Sequence, residues 1–270
     1  DSEVTAGFMW QKTTRESKKY QLRGEILSFI PVDKNVEIML VTITNTGRMA
    51  QTVTPTAAIP LYGRSADNIR DHRHVTSLLH RIETTDTGVL VTPTLSFDER
   101  GHQVNHMTYY CVGWSGNGEK PVDFYPTAED FVGEGGNFER PYAIVKNAEG
   151  VKAGTKIEGL EAVGGLHFSE ITLEPEEECS YLIFTGITED IQEIRNLSKT
   201  YTTREKVLEE LEKTKAYWQE KVNVAYHTGD SDFNQFMHWV SFQPILRRIY
   251  GCSFLPHHDY GKGGRGWRDR

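Results

Sequence analysis

The chain has 270 residues, of which 37% are hydrophobic and 25% charged, and a formal net charge of −8. That length holds one large domain or two modest ones, and the acidic balance argues against the broad basic surface a nucleic-acid binder needs. No stretch reaches the run of about 18 apolar residues required for a membrane span, so a transmembrane chain is excluded and a neutral substrate fits the charge.

The first two-thirds read as strands separated by turns. Val4–Thr13 is rich in β-branched and aromatic residues and runs into the charged turn Arg15–Lys19. Tyr20–Ile30 alternates, with Leu22, Gly24, Ile26 and Ser28 on one side and Gln21, Arg23 and Glu25 on the other. Pro31-Val32-Asp33-Lys34-Asn35 is a turn signal. The strand Val36–Thr46 follows, closed by Asn45-Thr46-Gly47, and then Gln51–Ile59, ended by Pro60. Further strands are expected at Gly88–Pro93, His106–Trp114, Leu166–Leu173 and Cys179–Ile187, with Glu174–Glu178 a charged hairpin turn at Pro175. Strand after strand without a helical period between them predicts an antiparallel β-sandwich rather than a βαβ sheet. Gly116–Val163 reads as a long connection, of the kind that covers or does something.

The pattern then becomes helical. Thr188-Glu189-Asp190 supplies an N-cap and early acids for a short helix over Asp190–Leu197. Thr203–Val222 is stronger, with Val207, Leu208, Leu211, Ala216 and Trp218 as its apolar stripe and Glu209–Lys213 as an i, i+4 pair. Asp230-Ser231-Asp232 caps a third helix, Phe233–Ile249, which is apolar nearly all round and so calls for partners on several sides. The reading is that this helix opens a larger helical domain.

The segment richest in chemistry is His257-His258-Asp259-Tyr260-Gly261-Lys262-Gly263-Gly264-Arg265-Gly266-Trp267-Arg268-Asp269. Its glycines let a backbone approach a ligand, its cations donate to oxyanions or hydroxyls, Trp267 offers a face for a sugar ring and Asp269 accepts hydroxyl hydrogen bonds. The same composition also describes a solvated basic loop with an Arg–Asp ion pair. The second candidate is Asp67–His74, where His72 and His74 would share one face of a strand beside Asp71. Two histidines do not make a metal site, and a hydrogen-bonded polar network is the expectation, with no metal. Gly133-Glu134-Gly135-Gly136 has no Lys-Ser/Thr and is a loop rather than a phosphate cradle, with Glu134 its one group that could reach a site. Cys252 lies near histidines, but no orienting acid accompanies it. Tyr109, Tyr110, Trp114, Phe124 and Tyr125 either fill a sandwich core or form a sugar-binding face. Three cysteines at irregular spacing (Cys111, Cys179, Cys252) suit reduced thiols of a cytoplasmic protein. Asp1-Ser2-Glu3-Val4 carries no signal-peptide pattern, although the chain reads as starting partway through something.

Two motifs carry a resemblance. Tyr62-Gly63-Arg64-Ser65-Ala66-Asp67-Asn68 running into Arg70-Asp71-His72-Arg73-His74, and Pro256-His257-His258-Asp259-Tyr260-Gly261-Lys262-Gly263-Gly264-Arg265-Gly266-Trp267-Arg268-Asp269, resemble glycoside hydrolase family 94. These are the cellobiose-phosphorylase-like enzymes, formerly glycosyltransferase family 36. The likeness is greatest to the β-1,2-oligoglucan phosphorylase branch, and the same module occurs in cyclic β-1,2-glucan synthases. It covers essentially the whole chain, and both motifs are long.

The resemblance implies a mainly β chain: an antiparallel super-sandwich over residues 1–188, a helical linker over 189–222, and over 223–270 the start of an (α/α)6 catalytic barrel, truncated. It implies inverting phosphorolysis of a β-linked glucan or gluco-oligosaccharide to α-glucose 1-phosphate, a hexosyl transfer with inorganic phosphate as co-substrate and no cofactor. One carboxylic acid protonates the leaving oxygen, and phosphate attacks the opposite face in place of the base-activated water of an inverting hydrolase. Arg268 and Asp269 are implied as hydroxyl binders in the donor-sugar subsite, followed by Trp267, Lys262 and Arg265. The family's general acid and phosphate-binding residues lie further along than Asp269, so no catalytic residue is assigned here and this polypeptide by itself is expected to be inactive. Arg270 departs from the apolar residue expected there. The expected partners are therefore a β-glucan, phosphate and the remainder of the barrel. Two other readings stand beside this one: a non-catalytic carbohydrate-binding or structural sandwich, and the phosphorylase-like module of a glucan synthase.

Overall fold

The computed structural model describes residues 2–63, 73–98 and 101–250. Its elements, in chain order, are β1 (Ser2–Gly7), β2 (Trp10–Ser17), β3 (Leu22–Phe29), β4 (Val36–Asn45), β5 (Gln51–Val53), β6 (Thr56–Leu61) and α1 (Arg73–Leu78). Then come β7 (Arg81–Thr84), β8 (Gly88–Val91), β9 (Leu95–Asp98), β10 (Gly101–Val104), β11 (Thr108–Ser115), β12 (Asp123–Thr127), α2 (Ala128–Val132) and α3 (Tyr142–Lys146). The last are β13 (Lys156–Glu158), β14 (Ala162–His167), β15 (Ile171–Leu173), β16 (Glu178–Thr188), α4 (Ile191–Thr200), α5 (Arg204–Lys221) and α6 (Ser231–Tyr250).

The expected mainly β, antiparallel architecture is present. One nine-stranded sheet runs β1-β2-β3-β4-β16-β11-β8-β7-β13, and a three-stranded sheet runs β12-β14-β6. The central strands of the large sheet are covered on both faces. One face presents Phe29, Ile38, Leu40, Val112, Trp114, Leu182 and Phe184 to Ile194, Leu197, Val207 and Leu211 of α4 and α5. The other presents Val89, Val91, Cys111, Tyr181 and Ile183 to Phe124, Ala162 and Leu166 of the smaller sheet. Three layers result, which is why β8, Gly-Val-Leu-Val, is buried at all four positions. Alternation survives in β4, where Val36, Ile38 and Leu40 enter the helix-facing core while Met39, Val41 and Ile43 pack toward the small sheet.

Several sequence expectations need correction. Val4–Thr13 is not one strand but a hairpin, β1–β2, turning at Phe8 and Met9, with Met9 at φ 60. Polar turn residues are missing because this turn is half-buried by contact: Phe8 stacks on Phe242 of α6 at 4.6 Å. Pro60 does not end its strand. It lies inside β6 opposite Val163, tolerated because β6 is a sheet edge. Leu166–Leu173 divides into the end of β14 and the short β15. The long connection Gly116–Val163 is built, holding β12, α2, α3, β13 and the start of β14. Within it Gly133, at φ 77, ends α2 by donating its N–H to Glu129 O, so the Gly-rich stretch begins as a helix stop.

The helices follow their caps. The Asp190 carboxylate accepts from Gln192 N–H to start α4, and Asp230 Oδ1 accepts from both Asp232 and Phe233 N–H to start α6. In α5 the buried stripe is Val207, Leu211, Thr214 and Trp218. Ala216 faces outward, and Lys213 pairs with Glu210 rather than Glu209. Among the described residues, helix α6 is partnered on one side only: Phe242 is buried with Trp218 and Val222, whereas Phe233, Phe236, Trp239 and Val240 are exposed.

Candidate functional site

The first motif departs from the end of β6, and the structure shows how that point is held. Gly63 N–H donates to His80 Nε2 at 3.1 Å, and His80 Nδ1 donates to the Leu160 carbonyl at 3.0 Å. Accepting on Nε2 fixes the neutral tautomer with its proton on Nδ1. His80 is 1% exposed. Burial pushes its pKa below the usual imidazole value, partly opposed by the Leu160 carbonyl and the nearby Glu161 carboxylate. The His80 carbonyl in turn accepts from Gly159 N–H. One imidazole residue thus ties the exit of β6, the start of β7 and the turn between β13 and β14. Only glycine fits at position 63, since a Cβ there would lie 2.7 Å from Pro93 Cγ and 3.2 Å from Val91 Cγ1. Beside this anchor Tyr62 and Phe138 stand half exposed at the mouth of a shallow cleft lined also by Glu161.

Sequence reading did not single out His80. The signal available was a lone imidazole within Leu78-Leu79-His80-Arg81-Ile82, a pattern that belongs to a satisfied buried histidine.

Residues Lys262, Arg265, Trp267, Arg268 and Asp269 lie outside the described residues, as do Asp71, His72, His257, His258, Asp259 and Cys252. His74 falls in helix α1, not on a strand, so the shared strand face expected for His72 and His74 is corrected. Among the described residues no group of three or more His, Cys, Asp or Glu is placed to hold a metal ion. The aromatic set resolves as core: Tyr110, Trp114, Phe124 and Tyr125 are buried, and Tyr109 packs against the small-sheet side. Glu134 is exposed.

A second, half-buried imidazole joins the small sheet. Asp123 and His167 face each other across β12 and β14, with Nδ1 and Oδ1 at 2.7 Å. Lys152 Nζ lies 4.0 Å from the other carboxylate oxygen and donates to the Val122 carbonyl. Burial and the Asp123 charge push the neighbouring Tyr125 phenol upward. The pair's geometry is that of a cross-strand tie.

A groove of about 920 Å³ lies where the β1–β2 turn meets α5 and α6. Phe8, Trp10, Phe236 and Trp239 line it together with Glu212 and Asp232. Lys215 Nζ sits 4.8 Å from the centre of the Trp10 ring, holding that indole against α5.

The chain matches the model of the glycosyl hydrolase 94 supersandwich domain over residues 1–204, and it belongs to that family. A search of curated proteins finds no match. Among solved structures it is similar to a protein assigned as a kojibiose phosphorylase from human microbiome, at 10% identity and a TM-score of 0.47, covering 87% of this chain and 26% of that one. It is also similar to a polysaccharide lyase, at 12% identity and a TM-score of 0.36, covering 72% of this chain and 23% of that one. The chain therefore spans about a quarter of the length of these structures. Among the described residues no helix is long and apolar enough to cross a membrane.

Proposed function

We propose that this chain is the sandwich, linker and barrel entry of an inverting glycoside phosphorylase that cleaves a β-linked glucan with inorganic phosphate and releases α-glucose 1-phosphate. The observation that carries the reading is the family match over residues 1–204, joined to the motifs that begin at Tyr62 and at Pro256. Within it residues 1–188, 189–222 and 223–270 are sandwich, linker and barrel start. Arg268 and Asp269 bind donor-sugar hydroxyls, with Trp267, Lys262 and Arg265 beside them. A carboxylic acid elsewhere in the parent protonates the leaving oxygen, and no cofactor is needed because phosphate is already the nucleophile. The β-1,2-oligoglucan branch is the proposed specificity, on the strength of the two motifs.

The His80 anchor supports this reading at one point. A segment that contributes to a sugar site needs a fixed origin, and Gly63 is held by a buried hydrogen bond where a Cβ would crowd Pro93 and Val91. A cytoplasmic setting is proposed with it, supported by Cys111 as a buried free thiol.

The test is phosphate-dependent release of glucose 1-phosphate from β-1,2- and β-1,4-gluco-oligosaccharides, by the full-length parent and by residues 1–270 alone. Release by the parent, absent without phosphate and absent from the 270-residue chain, is expected. A parent that releases no sugar phosphate from any β-glucoside would sink the proposal.

A further inference from the structure

A cleft of about 550 Å³ opens between the β7–β8 turn, the turn at Gly118–Lys120 and helix α4. Its size falls in the range of about 300–1,000 Å³ typical of ligand pockets. The walls are chemically two-sided. Leu90, Trp114 and Ile194 form an apolar floor, and Glu83, Asp86, Thr87, Lys120 and Arg195 stand around the rim. The lining charges balance, two carboxylates against two cations; Asp86 is ion-paired to Lys120, and Glu83 to Lys156 beside the cleft. Arg195 has no ion-pair or side-chain hydrogen-bond partner among the described residues.

The frame is built rather than incidental. Thr85 Oγ1 accepts from Gly88 N–H at 3.1 Å and Thr87 N–H at 3.3 Å, setting the hairpin turn that carries Asp86. Helix α4 is capped by Asp190 at one end and tied to the floor at the other, where Trp114 Nε1 donates to Tyr201 O.

A balanced rim favours neither an anion nor a cation, while an apolar floor facing a wall of donors and acceptors suits a ring with one CH-rich face and an edge of hydroxyls. Arg195 offers up to five N–H donors, and Asp86 offers Oδ1 as an acceptor beside the Oδ2 that Lys120 holds. We propose that this cleft is a non-catalytic binding site for a neutral oligosaccharide. The inference does not depend on the phosphorylase reading: binding here by a chain whose parent phosphorolyses nothing would keep this site and sink that function.

The test titrates the ¹⁵N-labelled 270-residue chain with a β-1,2-linked and a β-1,4-linked glucotetraose, and separately with inorganic phosphate. At least one sugar is expected to give saturable amide shifts at Asp86, Thr87, Gly118 and Arg195, and phosphate none. Arg195→Ala should weaken binding about tenfold by removing a charged hydrogen-bond donor. Ser198→Trp, which puts an indole into the cleft from an exposed helix position, should abolish it with an unchanged urea midpoint. Absence of saturable shifts with both sugars would overturn the site. So would phosphate binding there, which would make it an anion site, or sugar shifts that survive Ser198→Trp. In a parent that proves to be a phosphorylase, Ser198→Trp should leave release from a disaccharide at the unmodified rate, and a loss of turnover would overturn the non-catalytic assignment.

Discussion

The indole Nε1 of Trp114 donates to the backbone carbonyl of Tyr201 at 3.0 Å, 87 residues along the chain and wholly out of water. It is one of the points where sheet and helices are chemically joined: the Trp114 ring stacks on Phe184 at 4.7 Å, and Phe184 stacks on the Tyr201 ring at 5.6 Å. Trp114→Phe keeps most of the apolar contact but strands the Tyr201 carbonyl. It should cost about 1–3 kcal/mol in urea unfolding, the penalty for a buried group left without its partner. Tyr201→Phe, which keeps the carbonyl and removes only the hydroxyl that Lys34 Nζ donates to, should cost less. An equal loss from both would show that the bond from Lys34 to the Tyr201 hydroxyl holds the layers as firmly as the indole bond does.

His80 makes stability depend on pH with a definite sign. Its folded pKa lies below the ordinary 6.5, so the unfolded chain binds its proton first as pH falls. The stabilising contribution of the neutral ring is complete above about pH 6.5, drains away as pH drops below that value and is gone once the folded pKa has been passed. Urea midpoints measured from pH 7.5 to 5 should fall more steeply for the unmodified chain than for His80→Gln, whose amide can still accept from Gly63. Parallel curves would mean that His80 is not the titrating group.

Cys111 should be chemically silent. Its thiol is fully buried against Gly164, and burial pushes its pKa up to about 12. At pH 8 its thiolate fraction is about three orders of magnitude below that of a thiol at the ordinary value. Iodoacetamide followed by mass spectrometry should leave Cys111 unmodified in the folded chain and label it in urea. Labelling at native rates would show that the core opens around the β8–β11 pair.

Phe242 should act locally. It is 1% exposed and contacts Phe8, Trp218 and Trp239. Phe242→Ala removes a ring from a small cluster and should destabilise it by about 3–5 kcal/mol. Hydrogen exchange should accelerate through α6 and the Phe8–Met9 turn while the central strands β4, β16 and β11 stay protected. Uniform acceleration would make α6 part of the sandwich's own cooperative unit.

The architecture was legible where residue chemistry was local. Val36–Asn45 alternates, Asp190 and Asp230 cap their helices, and the period of 188–250 differs plainly from what precedes it. What escaped the sequence depends on contacts far along the chain. The hairpin at Phe8 and Met9 hides because its turn is apolar, and it is apolar because α6 lies against it. The strands and short helices between Gly116 and Val163 hide because a residue such as Asp123 looks like loop polarity until it is seen paired with His167 across β12 and β14. His80 was invisible as an anchor for the same reason: its partners Gly63 and Leu160 are 17 and 80 residues away. The donor-subsite residues were legible only through resemblance, since single Gly, Arg and Trp residues in a polar stretch carry no geometry of their own.

Pro60 sits in the outermost strand of the small sheet, paired on one side with β14. An edge strand is ordinarily a template on which another chain can add hydrogen bonds, and a ring nitrogen without a proton withholds one rung of that ladder. The strand that delivers Tyr62 and Gly63 to the first motif is thereby made a poor seed for misassembly. The same residue that looked like a stop signal in the sequence works instead as a guard, letting the chain leave the sheet there without inviting a stranger to take its place.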